Sequence, residues 1–159
     1  MKKFIPAIAC FVLLASCRHE KIEHPTIAEA GKIVDAAEAS FTSGDSFRIM
    51  EHYAPDAVMF DSANNEPTTD HAIATKWADA FVAMKPTAFS PGKRTLQILT
   101  DDVIVSSGVA TMMVAGGNGP EKVAIRYTDI YQRQRDQSWL IVHEHLSNLP
   151  KPAGGTAAS

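Results

Sequence analysis

Asp61 closes the apolar run Ala57-Val58-Met59-Phe60. A carboxylate held there, beside Phe60 or Trp77, can shuttle a proton between substrate carbons. The same position suits an Asp that caps the Ser62–Asn65 turn. Asp129 lies in mid-strand between Tyr127 and Tyr131, where a charge needs a reason: a site, pairing with Arg126 or Arg133, or solvent exposure. His143 and His145 form a His-x-His pair whose imidazoles can act as acid, base, hydrogen-bond donor or metal ligand. A metal would need a third ligand from elsewhere, such as Asp61 or His71, and no metal is expected. Arg126 can hold a ligand carboxylate in bidentate fashion or pair with Glu144. Tyr53, Trp77 and Phe81 offer aromatic surface, packed in a core with an edge toward a pocket. The chain has no Gly-rich phosphate loop and no nucleophile elbow, and no cofactor is expected.

The elements that must position these residues are legible from periodicity. Ala124–Arg133 and Trp139–Leu146 alternate about the polar link Gln134–Ser138 and predict a long β-hairpin. In its second strand strict alternation puts Trp139, Ile141, His143 and His145 on one face, and Leu140, Val142, Glu144 and Leu146 on the other. In its first strand Tyr127, Asp129 and Tyr131 share a face. Upstream, Thr26-Ile27-Ala28-Glu29 is a capping box, and Ile27, Ala30, Val34, Ala37 and Phe41 form the inward stripe of a helix. Asp45 starts a short second helix with Phe47 and Met50 inward. Asp70 caps a third, about His71–Met84, with Ile73, Trp77 and Phe81 in line. Strands are predicted at Ala57–Ser62, Arg94–Thr100 and Val103–Val114, with a bulge or bend at Gly108. Lys85–Lys93 reads as a loop and Gly116–Lys122 as a turn. Helices gathered at the front with antiparallel strands behind predict an α+β fold.

The 159 residues suffice for one domain. Residues 1–16 read as a signal segment: Lys2 and Lys3, an apolar run Phe4–Leu14, then Leu14-Ala15-Ser16-Cys17. That ending resembles the lipobox of bacterial lipoproteins, which implies cleavage before Cys17 and lipidation of its thiol. Removing residues 1–16 takes the formal side-chain charge from −3 to −5. The balance disfavours nucleic acid as a partner, since phosphate binding rests on Lys and Arg. Residues 17–25 form the lipidated Cys and a tether; its eight residues after Cys17 span about 26–29 Å when extended. Residues 26–149 form the domain, and 150–159 read as a disordered tail. Arg18 after the Cys implies, on the same resemblance, the outer membrane of the bacterial envelope, facing the periplasm.

Three motifs carry a second resemblance: Ser43-Gly44-Asp45, His52-Tyr53-Ala54-Pro55-Asp56-Ala57-Val58-Met59-Phe60-Asp61, and Trp139-Leu140-Ile141-Val142-His143-Glu144-His145-Leu146-Ser147. In order and placement they resemble SnoaL-like domains of the nuclear-transport-factor-2-like superfamily, related to ketosteroid isomerase. The resemblance implies a cone-shaped curved antiparallel sheet wrapped by three N-terminal helices, an apolar pocket and a homodimer. It aligns Asp61 with the isomerase base and Asp129 with the protonated Asp of the oxyanion hole. The oxyanion-hole tyrosine falls at or near Ala37, and this helix has no tyrosine. Losing such a donor costs about 100- to 1000-fold in rate. The expected function is therefore a membrane-anchored domain that binds a small, mostly apolar ligand. The alternatives are proton-transfer catalysis as an isomerase, cyclase or dehydratase, by Asp61 with His143 or His145, and a dimerisation or docking module.

Overall fold

A computed structural model describes residues 24–62 and 65–150. The predicted signal segment, Cys17 and residues 151–159 lie outside the described residues. Of the tether, His24 and Pro25 are described: Pro25 is buried, and His24 Nδ1 lies 2.8 Å from Asp101 Oδ1.

The element order is α1 (Ile27–Ser40), α2 (Ser46–Met50), β1 (Tyr53–Phe60), α3 (His71–Ala83), β2 (Thr87–Ser90), β3 (Arg94–Thr100), β4 (Val103–Gly116), β5 (Gly119–Arg133) and β6 (Trp139–Asn148). The helices start where side chains satisfy free backbone amides. Glu29 N–H donates to Thr26 Oγ1 (3.2 Å) while Thr26 N–H donates to Glu29 Oε2 (2.8 Å), completing the capping box of α1. Asp45 Oδ1 accepts from Phe47 N–H at 3.0 Å, and Asp70 Oδ1 from Ala72 N–H at 2.8 Å.

The sheet is curved and runs β1-β6-β5-β4-β2, with β3 pairing β4 on the same edge as β2. The resemblance implied an antiparallel sheet; this one is mixed, because β1 pairs in parallel with β6. That pairing joins segments more than 80 residues apart, and no local pattern announces it. A short strand, β2, occupies the region read as a loop. The hairpin reaches further than its alternation suggested, and only Gly117 and Asn118 separate β4 from β5.

One irregularity decides which side chains of β6 face inward. Tyr131 pairs with Ile141 while Ile130 pairs with His143, so Val142 is an extra residue in β6. Such a bulge reverses the alternation. Ile141 and Glu144, assigned to opposite faces by strict alternation, are therefore both buried, at 0% and 2% exposure. At Gly108, by contrast, there is no bulge: its pairing with Arg94 and Tyr127 is regular. A Cβ there would stand 3.2 Å from the Tyr127 hydroxyl and 3.0 Å from Lys93 O, so the missing side chain makes room for the tyrosine.

The core lies between the helices and the inner face of the sheet. Ala30, Val34 and Ala37 of α1 meet Ile49 and Met50 of α2, Ala74, Ala78 and Phe81 of α3, and Ile104, Tyr131 and Ile141 of the sheet. Phe47, Ile27 and Ile73, counted inward by spacing, are exposed. Each sits in the first turn of its helix, and five residues of α2 are too few for spacing to fix a face.

Candidate functional site

Between α1, α3 and the inner sheet face lies a cavity of about 460 Å³. Its size is that of a small-molecule site. One wall is aromatic. Trp77 and Phe81, one helical turn apart on α3, stack with centroids 5.6 Å apart, and Phe41 meets the edge of Phe81 at 5.8 Å and Phe89 at 5.4 Å. The opposite wall is the inner sheet face, with Ala110, Met112, Val114 and Ile125. The end of α3 is tied to that wall by Ala115 N–H donating to Met84 O at 2.8 Å.

The polar end is acidic. Glu38 of α1, Asp61 after β1, Asp129 of β5 and Glu144 of β6 all line the cavity, and among the described residues no Lys, Arg or His does. Asp129 and Glu144 are cross-strand partners, 4% and 2% exposed. Burial, then the neighbouring Glu144 and Glu38 charges, hold the Asp129 carboxyl well above the usual carboxylate range. Burial also raises Glu144, with the Asp61 charge adding and the Tyr53 hydroxyl opposing, to about 7. Burial raises Glu38 as well, against the Arg94 guanidinium.

Each glutamate has a donor behind it. Tyr53 Oη donates to Glu144 Oε2 at 2.6 Å. Arg94 Nη1 donates to Glu38 Oε2 at 2.9 Å and to Asp35 Oδ1 at 2.8 Å, and Tyr127 Oη reaches Glu38 Oε1 at 3.4 Å. Burial pushes the Tyr127 phenol up to about 12. Asp129 Oδ1 is buried with no hydrogen-bond partner among the described residues. Ser62 Oγ, in turn, donates to Asp61 Oδ1 at 3.4 Å, and Asp61 lines the cavity.

Of the residues singled out from the sequence, Asp61, Asp129, Trp77 and Phe81 meet in this cavity. Tyr53 stands behind it, its ring on Trp77 (6.5 Å) and its hydroxyl on Glu144. The structure does not bring Arg126, His143 or His145 to the cavity. Arg126 and His145 are exposed and His143 is half-buried; with Glu144 and Leu146 inward, His143 and His145, beyond the bulge, point outward, and His145 stacks on Phe60 at 4.9 Å. The Arg126–Glu144 pairing considered above is excluded by the same alternation. Glu38, Glu144 and Tyr127 are the residues that sequence reasoning missed. A signal existed for two of them: Glu38 sits inside the apolar stripe of α1, and Glu144 shares its predicted face with three apolar residues. Ala37, where the resemblance seeks a tyrosine, is 2% exposed and carries no hydroxyl; the hydroxyls that reach the acids come from β1 and β5 instead.

Among the described residues no three acidic, histidine or cysteine side chains are gathered closely enough to hold a metal ion, and no helix is long and apolar enough to cross a membrane.

Comparison with known proteins agrees with this architecture. A calcium/calmodulin-dependent protein kinase II association domain assigned in Xanthomonas campestris is 29% identical and superposes with a TM-score of 0.72, covering 80% of this chain and 91% of that one. An assigned ketosteroid isomerase from Parabacteroides distasonis shares the fold at 14% identity and TM-score 0.62, covering 82% and 92%. So does an NTF2-like protein of unknown function from Pseudomonas putida, at 20% identity and TM-score 0.63, covering 76% and 84%. No curated protein matches the chain. The SnoaL-like domain family matches residues 31–152, the span that builds both the helices and the acidic cavity, and the chain belongs to that family.

Proposed function

We propose that this domain binds a small, mostly apolar ligand in the cavity, with the carboxyl groups at its inner end as the polar anchor. The observation that carries this reading is the contrast within one cavity: aromatic and aliphatic walls around desolvated acids, one of whose oxygens has no partner among the described residues. Buried polar atoms left unpaired cost stability unless something satisfies them. Proton-transfer chemistry by Asp61 with a histidine has no geometric support, because both histidines face away. The test is titration of the purified protein with 1-naphthylmethanol and its ammonium counterpart 1-naphthylmethylamine, followed by NMR of the Ala110 and Met112 methyls. Saturable shifts at those methyls with either compound are expected, and the Met112 shift should be lost in Ala110→Phe. Shifts from neither, up to the solubility limit, overturn the reading.

A second reading, self-association, is favoured by the likeness to the Xanthomonas association domain. We propose a homodimer through the outer sheet face, where Val109 is 37% exposed beside Arg126 and Thr128. Light scattering should give twice the chain mass; a monomer at high concentration contradicts it. We further propose that the chain is anchored to the bacterial envelope, at the outer membrane facing the periplasm, by lipid on Cys17. Cys17→Ser should then leave the membrane fraction, and retention there contradicts the anchor.

A further inference from the structure

We propose that the ligand of this cavity carries a protonated amine: the end formed by Glu38, Asp61, Asp129 and Glu144 is a site for a small apolar ammonium ion. This rests on the ligand-binding reading above and adds the charge class to it.

Three observations converge. First, the lining is rich in acceptors and poor in donors. Among the described residues four carboxyl groups line the cavity without one cationic side chain. The Tyr53 and Tyr127 hydroxyls already point at Glu144 and Glu38, and Arg94 reaches Glu38 without lining the cavity. A ligand that satisfies such a wall must bring N–H or O–H groups, and an ammonium brings up to three. An anionic ligand would add charge to a cluster whose members already raise one another's protonation.

Second, Asp129 lines the cavity, and its Oδ1 is buried with no partner among the described residues. Asp129 as a whole is 4% exposed. Its acceptor cannot be satisfied by bulk solvent, whereas a cation in the cavity would make a charge-assisted hydrogen bond with it. Third, the rest of the cavity selects the body of the ligand. The stacked Trp77 and Phe81 rings and the Met112–Val114 wall suit an apolar group, and aromatic faces attract cations as well. A bare metal ion fits poorly, since no three of the acids are gathered at metal-ligand spacing and the walls offer it nothing.

The test compares 1-naphthylmethylamine, protonated near neutral pH, with its neutral isostere 1-naphthylmethanol by NMR or calorimetry at pH 8. The amine is expected to bind at least tenfold more tightly. Asp129→Asn should weaken the amine about tenfold while changing the alcohol less than threefold, the alcohol serving as the check on folding. Glu144→Gln is the second variant. Amine affinity should also rise from pH 6 to pH 8, as Glu144 ionises among Tyr53 and Asp61 from β1 and its end, Asp129 of β5, and Glu38 of α1 with Arg94 behind it. Equal binding of amine and alcohol, or tighter binding of the alcohol, overturns the ammonium assignment and leaves the pocket reading intact. Amine binding that Asp129→Asn and Glu144→Gln both leave unchanged overturns the assignment too. Binding of neither compound overturns both readings.

Discussion

The two faces of the β5–β6 hairpin carry similar polar content and live under opposite rules. On the inner face Tyr127, Asp129, Tyr131 and Glu144 are buried, and two of the four, Tyr127 and Glu144, sit in hydroxyl–carboxyl pairs with Glu38 and Tyr53. On the outer face Arg126 and His145 are exposed and His143 is half-buried. Solvent satisfies the outer groups, so their identities are weakly constrained. The inner groups have lost water and must be paired, protonated or liganded. A charged residue in a strand therefore says little until its face is known, and here a single extra residue, Val142, decides that face.

The largest break in this contrast should come from Arg94→Met. Among the described residues, Arg94 is the guanidinium that offsets the buried Glu38. Its removal leaves a desolvated carboxylate, a change that costs about 3–5 kcal/mol when a buried pair is broken. Because Glu38 can escape by protonating, the loss should shrink at acidic pH. Urea unfolding of wild type and variant at pH 5 and pH 8 checks both statements. An equal loss at both values would show that Arg94 acts through packing alone.

Next in size is the pH dependence imposed by Glu144. Its carboxyl is raised from 4.5 to about 7 in the folded state, which corresponds to about 3 kcal/mol. The folded protein holds this proton more tightly than the unfolded chain. The associated stability is therefore present below pH 4.5 and is lost as pH rises through about 7. Glu144→Gln, with Tyr53 still able to donate to the amide oxygen, should flatten that slope and be more stable than wild type at pH 8. Thermal melts across pH 5 to 8 read it directly. A slope unchanged by the substitution would place Glu144 in solvent.

The smallest effects belong to the outer face. His145→Ala gives up a stacking contact with Phe60 at an exposed site and should cost no more than about 0.5–1 kcal/mol. It should leave ligand binding in the cavity within about twofold, since 1.4 kcal/mol is needed for a tenfold change. A tenfold loss of binding would reconnect the histidines to the site and restore the proton-transfer alternative.

Much of this arrangement was legible in the sequence, and the rest was not for definite reasons. The caps at Thr26, Asp45 and Asp70 are local chemistry, each satisfied within three residues. The Trp77–Phe81 pair follows from helical spacing alone. Asp129 stood out as a mid-strand charge between two tyrosines. The parallel pairing of β1 with β6 is non-local, and the bulge at Val142 exists only in the registry of two strands. Strict alternation therefore grouped Ile141 with the histidines and hid the inward partnership of Asp129 with Glu144. Gly108 was visible as an interruption, but its purpose, clearance for Tyr127, depends on a residue across the strand. Glu38 was readable as an acid inside an apolar stripe, though the guanidinium that holds it lies 56 residues away.

The central claim is that the inner face of the hairpin holds desolvated carboxyl groups at the end of an apolar cavity. Carbon-13 NMR titration of the Asp and Glu side-chain carboxyls, with Asp129 and Glu144 assigned by substitution, tests it most directly. Glu144 should titrate near 7 and Asp129 well above the usual range for aspartate. If both titrate between about 3.5 and 4.5, as solvent-exposed carboxyls do, the acidic end of the cavity is open to water and the account is contradicted.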